Sequence, residues 1–507
     1  MAYIKSDKNI MYFLKQRLVS SISLFLVFSL TLHSQDSLNK RALFQGKLPD
    51  NCDSIQFVVI PNPIDLTSSG NSATTIFADT LDKKWFKYSS PILEHVGRVL
   101  IQVYFKESVF GEFYYIEPGD DIKLTFQANG DKIMFSGRGS AKYNVLTAQD
   151  EIFDVRRLHK HLPQIQSTSG LTIQERRTIL EDSLRSALGY LKRYSKSISS
   201  TVYQMIKNDW VASFYFDPWY LNLLYTVSRI HNNEEKLKLI SEAGLITKYD
   251  SDTAFANAII FSPTYMRYLL RVNVFDLVAA NQGQNINLVQ LFSRLNKRYS
   301  GVLRDRLLYE LCASPESGVS GINFDRYTLD SLTRVIYYSM NEGYLRDLLV
   351  PIVKLTKGEP FYNFSFLNLE GERVTLDNFK GKVVLLDMWS TGCGGCIVFA
   401  NGFDKDVYPR ISDHSKFEVL SVNADATKER WINTLNGVMK SQKQHINVQL
   451  NGKDFWSDSL IKYYGIEGLP FTVLIDENGK VLYYNVIPLK SDDLLNIINS
   501  AIEKITG

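Results

Sequence analysis

Two cysteines separated by two glycines, Cys393-Gly394-Gly395-Cys396, have the spacing of a dithiol redox centre. Thiols three positions apart can exchange a disulfide with a client and then close one with each other. The chain of 507 residues has two further cysteines, Cys52 and Cys312, far from the pair and from each other. So few cysteines in so long a chain do not make a disulfide framework, which serves small domains without a sufficient core. Cys52 and Cys312 therefore read as buried, inert thiols, with a bridge between them across domains as the alternative.

The pair sits where a strand gives way to a helix. From Gly358 the sequence reads as two short strands, a Lys380-Gly381-Lys382 turn, the apolar run VVLLDMW, a loop ending in the cysteines, and the helical stretch IVFANGFDKDVYPRI. At a helix start, the first-turn amides and the positive end of the dipole favour a thiolate, so a thiol that ordinarily titrates at about 8.5 falls by one unit or more. Cys393, nearer the helix start, is the predicted nucleophile, and Cys396, one turn further in, the more buried resolving thiol. Resolution needs a base. Asp387 stands in the core-like run VVLLDMW, where a carboxylate is costly to bury unless it handles a proton, and it is the candidate acceptor of the Cys396 proton. The competing reading is a polar residue at a strand edge with no such task.

KGKVVLLDMWSTGCGGC and, later, YYGIEGLPFTVLIDENGKVLYY together resemble the thioredoxin superfamily and, within it, the TlpA-like envelope thioredoxins, over residues 359–505. The resemblance implies a thioredoxin-like α/β domain with Pro470 as a cis-proline opposite the thiols. It also implies that Leu469 offers backbone hydrogen bonds to an extended substrate, that Trp389, Leu469 and Pro470 bind substrate, and that an Asn-Gly hairpin follows. The implied partners are protein or peptide disulfides and thiols, with a membrane electron donor for re-reduction, and no cofactor beyond the Cys393–Cys396 disulfide. Two departures stand out: Gly-Gly replaces the residue-Pro between the cysteines, and Gly392 replaces the usual Trp. Ile397, Val398 and Phe399 occupy the region where some cytochrome-maturation relatives carry a Glu, which leaves Asp387 as the better acid-base candidate. Potentials in the superfamily run from about −270 to about −120 mV, so Gly-Gly does not fix the direction, and reduction is the family default.

The rest of the chain must position and deliver this centre. With 45% hydrophobic and 22% charged residues, 29 Gly and 14 Pro, it is neither collagen-like nor wholly disordered. The formal charge of +3 comes from residues 1–34, where Lys5, Lys8, Lys15 and Arg17 face Asp7, so nothing favours nucleic acid. Behind those cations, residues 18–32 form an uncharged apolar run. Its length suits a secretory signal better than the roughly 20 residues of a spanning helix. Ser34 offers a small residue for cleavage, an uncleaved anchor is the alternative, and no cysteine follows for lipid attachment. Residues 1–34 are thus read as a signal or anchor, and the protein as periplasmic or envelope-bound.

Residues 36–143 alternate apolar and polar in short runs with turn chemistry at Pro118-Gly119-Asp120 and Asn129-Gly130-Asp131, predicting an antiparallel β-sandwich. FYYIEPGDDIKLTF and FSGRGSAKYN are similar to an N-terminal domain often fused to envelope thioredoxins in Gram-negative bacteria; the resemblance does not establish its function, and the expected role is to position substrates or dock to another envelope protein. Residues 144–355 show helical spacing, with a capping box at Thr172 and Glu175. The aromatic run at 210–225 reads as core, a partner groove being the alternative. His159 and His161 point to different helix faces, and no histidine has metal-ligand spacing. Residues 356–507 complete a multidomain α+β chain. The leading function is an exported thiol:disulfide oxidoreductase. Alternatives are a disulfide isomerase and a binding protein that uses the fold as scaffold. A thiol peroxidase is disfavoured because, although Thr391 lies two residues ahead of Cys393, no Pro precedes it.

Overall fold

A computed structural model describes residues 40–61, 72–105, 109–127, 133–148, 172–215, 219, 222–243, 262–313, 321–341, 343–451, 455–466, 468–487 and 489–506. The apolar run at 18–32, the Asn129-Gly130-Asp131 turn, His159 and His161 lie outside them. The chain divides into two compact units, one with the first eight strands and Thr178–Trp210, the other with Val211–Gly507.

The strands of the first unit are β1 (Leu43–Lys47), β2 (Cys52–Ile60), β3 (Ser72–Phe77), β4 (Trp85–Ser89), β5 (Gly97–Phe105), β6 (Val109–Ile116), β7 (Asp121–Phe126) and β8 (Ile133–Arg138). They form two four-stranded sheets, ordered β4-β1-β7-β8 and β3-β2-β5-β6. Every second residue of β2 around its centre, Ile55, Phe57 and Val59, enters one buried cluster with Phe44, Phe86 and Tyr88 of the other sheet, the period-2 burial that alternation encodes. Pairing is not wholly antiparallel, however. β1 runs parallel to β7, with Phe44 opposite Ile122. Five strands separate these two in sequence, so no tight turn dictates their relative direction. In the turn before β7, Gly119 takes φ +79, and the buried Asp120 carboxylate accepts from Lys142 Nζ at 2.6 Å and Tyr143 Oη at 2.9 Å, tying helix α1 (Ser140–Thr147) to the strands.

The helices that follow are α2 (Ile173–Lys192), α3 (Ser200–Tyr215), α4 (Asn222–Arg229), α5 (Asn233–Ala243), α6 (Pro263–Ala280), α7 (Leu288–Arg298), α8 (Gly301–Ala313), α9 (Arg326–Ser339) and α10 (Tyr344–Lys354). At the start of α2 the Thr172 amide donates to Glu175 Oε2 at 2.7 Å and the Glu175 amide to Thr172 Oγ1 at 3.2 Å, the reciprocal bonds of a capping box. Two-residue strands β9 (Ile286–Asn287) and β10 (Ile322–Asn323) pair in parallel among the helices. Asp330 of α9 accepts from Arg326 Nε at 3.0 Å and from the Lys357 amide at 2.9 Å, which pins the chain as it leaves the helices. Among the described residues no helix is long and apolar enough to cross a membrane.

The last third contains β11 (Ser365–Asn368), β12 (Arg373–Thr375), β13 (Val383–Trp389), α11 (Gly394–Asp406), β14 (Phe417–Asn423), α12 (Lys428–Asn436), β15 (Ile446–Gln449), α13 (Ser459–Tyr464), β16 (Phe471–Ile475), β17 (Val481–Tyr484) and α14 (Ser491–Thr506). The seven strands are ordered β12-β11-β15-β14-β13-β16-β17. Central β13 pairs in parallel with β14 and antiparallel with β16. Layers on both faces explain its nearly continuous apolar sequence. The β16–β17 hairpin turns at Asn478-Gly479, where Gly479 takes φ +74 and the Asp476 amide donates to the Lys480 carbonyl at 2.8 Å.

Candidate active site

Every residue of β13 is buried, and its side chains alternate between the two faces of the sheet. Val384, Leu386 and Met388 fill the cluster on one face. On the other, Leu385 packs with Phe403, while Trp389 packs with Cys396 and Ala400. Asp387 falls between Leu385 and Trp389, on the face that α11 covers. Strand register thus carries the carboxyl group beneath the helix that bears the thiols.

Cys393 is the N-cap of α11, and its Sγ accepts from the Cys396 amide at 3.2 Å. The two sulfurs are bonded to each other, with their Cα atoms 5.3 Å apart. Cys396 is 0% exposed, whereas Cys393 is partly exposed and flanked by exposed Gly392, Gly394 and Gly395. Of the two cysteines, Cys393 is the one that solvent reaches. When the bond is reduced, the amide that faces Cys393 Sγ and the positive end of α11 favour a thiolate there.

The Leu469–Pro470 peptide is cis. A methyl group on Gly395 would stand 3.2 Å from Pro470 Cδ, so the proline ring lies against the dipeptide between the cysteines. Leu469 packs against the cluster that contains Cys396 and Trp389, and both Leu469 and Pro470 keep partial exposure. Val398, on the outer side of the first helical turns, is 75% exposed. Trp389, expected among the substrate-binding residues, is 0% exposed, and its Nε1 donates to Ser421 Oγ at 2.8 Å. An indole without exposed area cannot touch a client. It supports the disulfide from below.

Asp387 is 2% exposed, and its Oδ1 has no hydrogen-bond partner within the protein. Burial, with the charge of Asp404 on α11 adding to it, pushes this carboxyl up to about 8. A group that titrates close to neutrality can both accept and return a proton at working pH, which is the property general acid-base catalysis selects.

A second carboxylate steadies the loop ahead of Cys393. Buried Asp425, just past β14, accepts from the Thr391 amide at 3.1 Å, Thr391 Oγ1 at 2.6 Å and Asn423 Nδ2 at 2.9 Å. Thr391 Oγ1 also lies 2.7 Å from Thr434 Oγ1. Next to this anchor Gly392 takes φ +87, a conformation that a Trp would resist. Sequence reasoning misses Asp425 and Thr434 because they lie 34 and 43 positions from Thr391. The one signal available is a polar Asn423-x-Asp425 cluster at the end of an apolar strand.

Residues 381–481 match a family model described as thioredoxin-like. The chain is 29% identical over 157 residues to the thiol-disulfide oxidoreductase ResA of Bacillus thuringiensis subsp. konkukian, an alignment that covers 30% of this chain and 80% of that protein. It is 27% identical over 134 residues to ResA of Bacillus subtilis, covering 25% of this chain and 66% of the relative. Among solved structures, the thioredoxin domain of a thiol-disulfide oxidoreductase from Bacteroides vulgatus has 28% identity and a TM-score of 0.26, and the match covers 29% of this chain and 99% of that one. The C-terminal third of the chain is a thioredoxin-like domain.

Proposed function

We propose that the chain is an exported thiol:disulfide oxidoreductase that reduces protein disulfides in the cell envelope through Cys393 and Cys396. One observation carries this reading: a partly exposed sulfur at the head of a helix is bonded to a fully buried one, with a cis-proline against their loop. In the reductive direction the Cys393 thiolate attacks one sulfur of a client disulfide, and the client's other sulfur leaves as a thiolate that takes a proton from water. Cys396 then yields its proton to Asp387 and attacks Cys393 Sγ. The second client sulfur leaves as a thiolate and takes that proton back from Asp387, so two electrons have passed to the client, Asp387 is free again and the Cys393–Cys396 bond is restored.

Leu469 and Pro470 provide the face along which an extended client segment lies. Re-reduction requires a dithiol donor, which an envelope protein draws from the membrane, and no bound cofactor enters these steps. Residues 1–34 serve as the signal or anchor. We read the two four-stranded sheets as a sandwich that docks an envelope partner or positions clients. Insulin reduction by the full chain tests the central claim. The wild type precipitates insulin B chain in the presence of a dithiol and Cys393→Ser leaves only the uncatalysed rate; equal rates for the two proteins refute the reading.

A further inference from the structure

Asp387 is the inner end of a polar belt that runs sideways through the sheet. Asp387 of β13 stands opposite Ser421 of β14, which stands opposite Asn447 of β15. Directly paired residues share a face, so all three point toward α11 at the strand spacing of about 4.8 Å. All three are buried, and so is Thr472 of β16, which stands opposite Asp387 on its other side. Asn447 Nδ2 donates to the carbonyls of Gln442 and His445, both at 2.8 Å, and so fixes the loop ahead of β15. From that loop His445 Nε2 meets Asp404 Oδ1 at 2.7 Å, and Gln442 Nε2 donates to Asp404 Oδ2 at 2.9 Å.

Asp404 returns the belt to α11. It lies eight residues, about 12 Å, beyond Cys396 along the helix. Phe403 beside it packs in the cluster that contains Leu385, the neighbour of Asp387 on the same strand face. Unpartnered polar atoms gather here: Asp387 Oδ1, Asn447 Oδ1, Gln442 Oε1 and His445 Nδ1. Buried groups of that kind are rare in folded proteins. The outer end opens on a polar cleft that His445 lines together with Lys382, Tyr408, Asp413, His414 and Glu418. Tyr408 packs edge-on against the imidazole with ring centroids 4.5 Å apart. Beside Asp387, β14 places Ser421 and β16 places Thr472 at directly paired positions, and α11, which covers this face, carries Cys396 and Asp404, while α14 lends apolar side chains to the adjoining cluster. Asp404 is thus the charged group that acts on Asp387 from a neighbouring element.

We propose that Asp404 and His445 are positioning residues that act on the dithiol through Asp387. With His445 neutral, the Asp404 carboxylate keeps the proton on Asp387; with His445 protonated from the cleft, the pair cancels its own charge and Asp387 releases the proton more readily. This rests on the reading of Asp387 as the acceptor of the Cys396 proton. The proton transferred in the resolving step passes from the Cys396 thiol to Asp387, and the proton that His445 takes up comes from solvent and stays on the imidazole. The consequence is a resolving step that loses less rate on acidification than an isolated buried acid would impose.

The test is the resolving rate of the full-length chain across pH. Reduced protein is treated with an aromatic disulfide, and release of the second thionitrobenzoate reports the attack of Cys396 on Cys393. Asp404→Asn moves the midpoint of the rate profile to lower pH by about one pH unit, the effect of removing one nearby like charge. His445→Gln can still donate a hydrogen bond to Asp404 but takes no proton, so its rate falls several-fold below wild type on the acid side. A wild-type profile from either variant, or displacement of both in the same direction, overturns the inference. Asp387→Asn separates the role of Asp387 from that of Asp404 and His445: it removes the pH limb if Asp387 is the acceptor, and a surviving limb defeats that reading together with this one. Should Asp404→Asn fail to fold, imidazole resonances of His445 are titrated in wild type and Asp387→Asn. Coupled groups give different midpoints in the two proteins, and identical titrations overturn the proposal.

Discussion

Asp387 holds its proton in the folded chain up to about 8, whereas an exposed aspartate loses it at about 4. Between those values the folded state binds one more proton than the unfolded state, so stability falls as pH rises across the window. Asp387→Asn removes this penalty. Urea unfolding of the full chain is expected to show the variant more stable than wild type by on the order of a few kcal/mol above about pH 8, with the difference vanishing below about pH 4. On the proposed mechanism the same variant is expected to slow the resolving step, so that stability and activity move in opposite directions. The four thiols divide by surroundings in the same way. Burial pushes the Cys52 thiol up to about 11 and that of Cys312 up to about 12, and neither is in a disulfide. After mild reduction of the native chain, iodoacetamide is expected to add one group, on Cys393, with Cys52 and Cys312 modified only after unfolding, as mass spectrometry of the digested protein will read.

The junction between β13 and α11 depends on three glycines with different tasks. Gly392 has open space around it but takes φ +87, so Gly392→Ala meets backbone strain and no clash. Gly394 has neither a neighbour within 4 Å nor a positive φ, and it lies inside the helix. Equilibrium unfolding of the oxidised chain is therefore expected to show Gly392→Ala less stable by about 1–2 kcal/mol and Gly394→Ala more stable by up to about 1 kcal/mol. Gly395 lies between these cases, since a methyl there would press on Pro470 at 3.2 Å. The Gly-Gly dipeptide thus leaves the proline room to lie against the loop. Asp425 completes the junction from just past β14, holding Thr391 so that Cys393 enters the helix at a fixed place.

At the scale of the whole chain, the exposed sulfur and the buried one make different predictions for trapping. On the proposed mechanism, Cys396→Ala retains the nucleophile and lacks the resolving thiol. Expressed in the cell envelope, it is expected to accumulate mixed disulfides with its clients through Cys393, seen as reductant-sensitive adducts on non-reducing gels and absent when Cys393 is also replaced. The helices contribute to the mounting of this centre. Arg326 and Asp330 are both buried, and Asp330 also holds the Lys357 amide at the entrance to the thioredoxin-like domain. Asp330→Ala leaves Arg326 without that carboxylate, and a thermal melt is expected to register a loss of about 3–5 kcal/mol, the usual penalty for stranding one partner of a buried pair.

What the sequence determined by itself lies within short windows. The dithiol at a strand-to-helix junction, the Thr172–Glu175 capping box and the Asn478-Gly479 hairpin each involve residues a few positions apart, where periodicity and capping act directly on the backbone. Asp387 was legible for a related reason, since a carboxylate in an apolar run violates the local pattern. Tertiary structure decided what spans the chain: the parallel pairing of β1 with β7, the anchoring of Thr391 by Asp425, and the row from Asp387 through Ser421 and Asn447 to Asp404 and His445. These residues become neighbours only when strands distant in sequence take one register and a helix settles across them. No local preference of the chain encodes such a register, because it is fixed by the packing of whole layers.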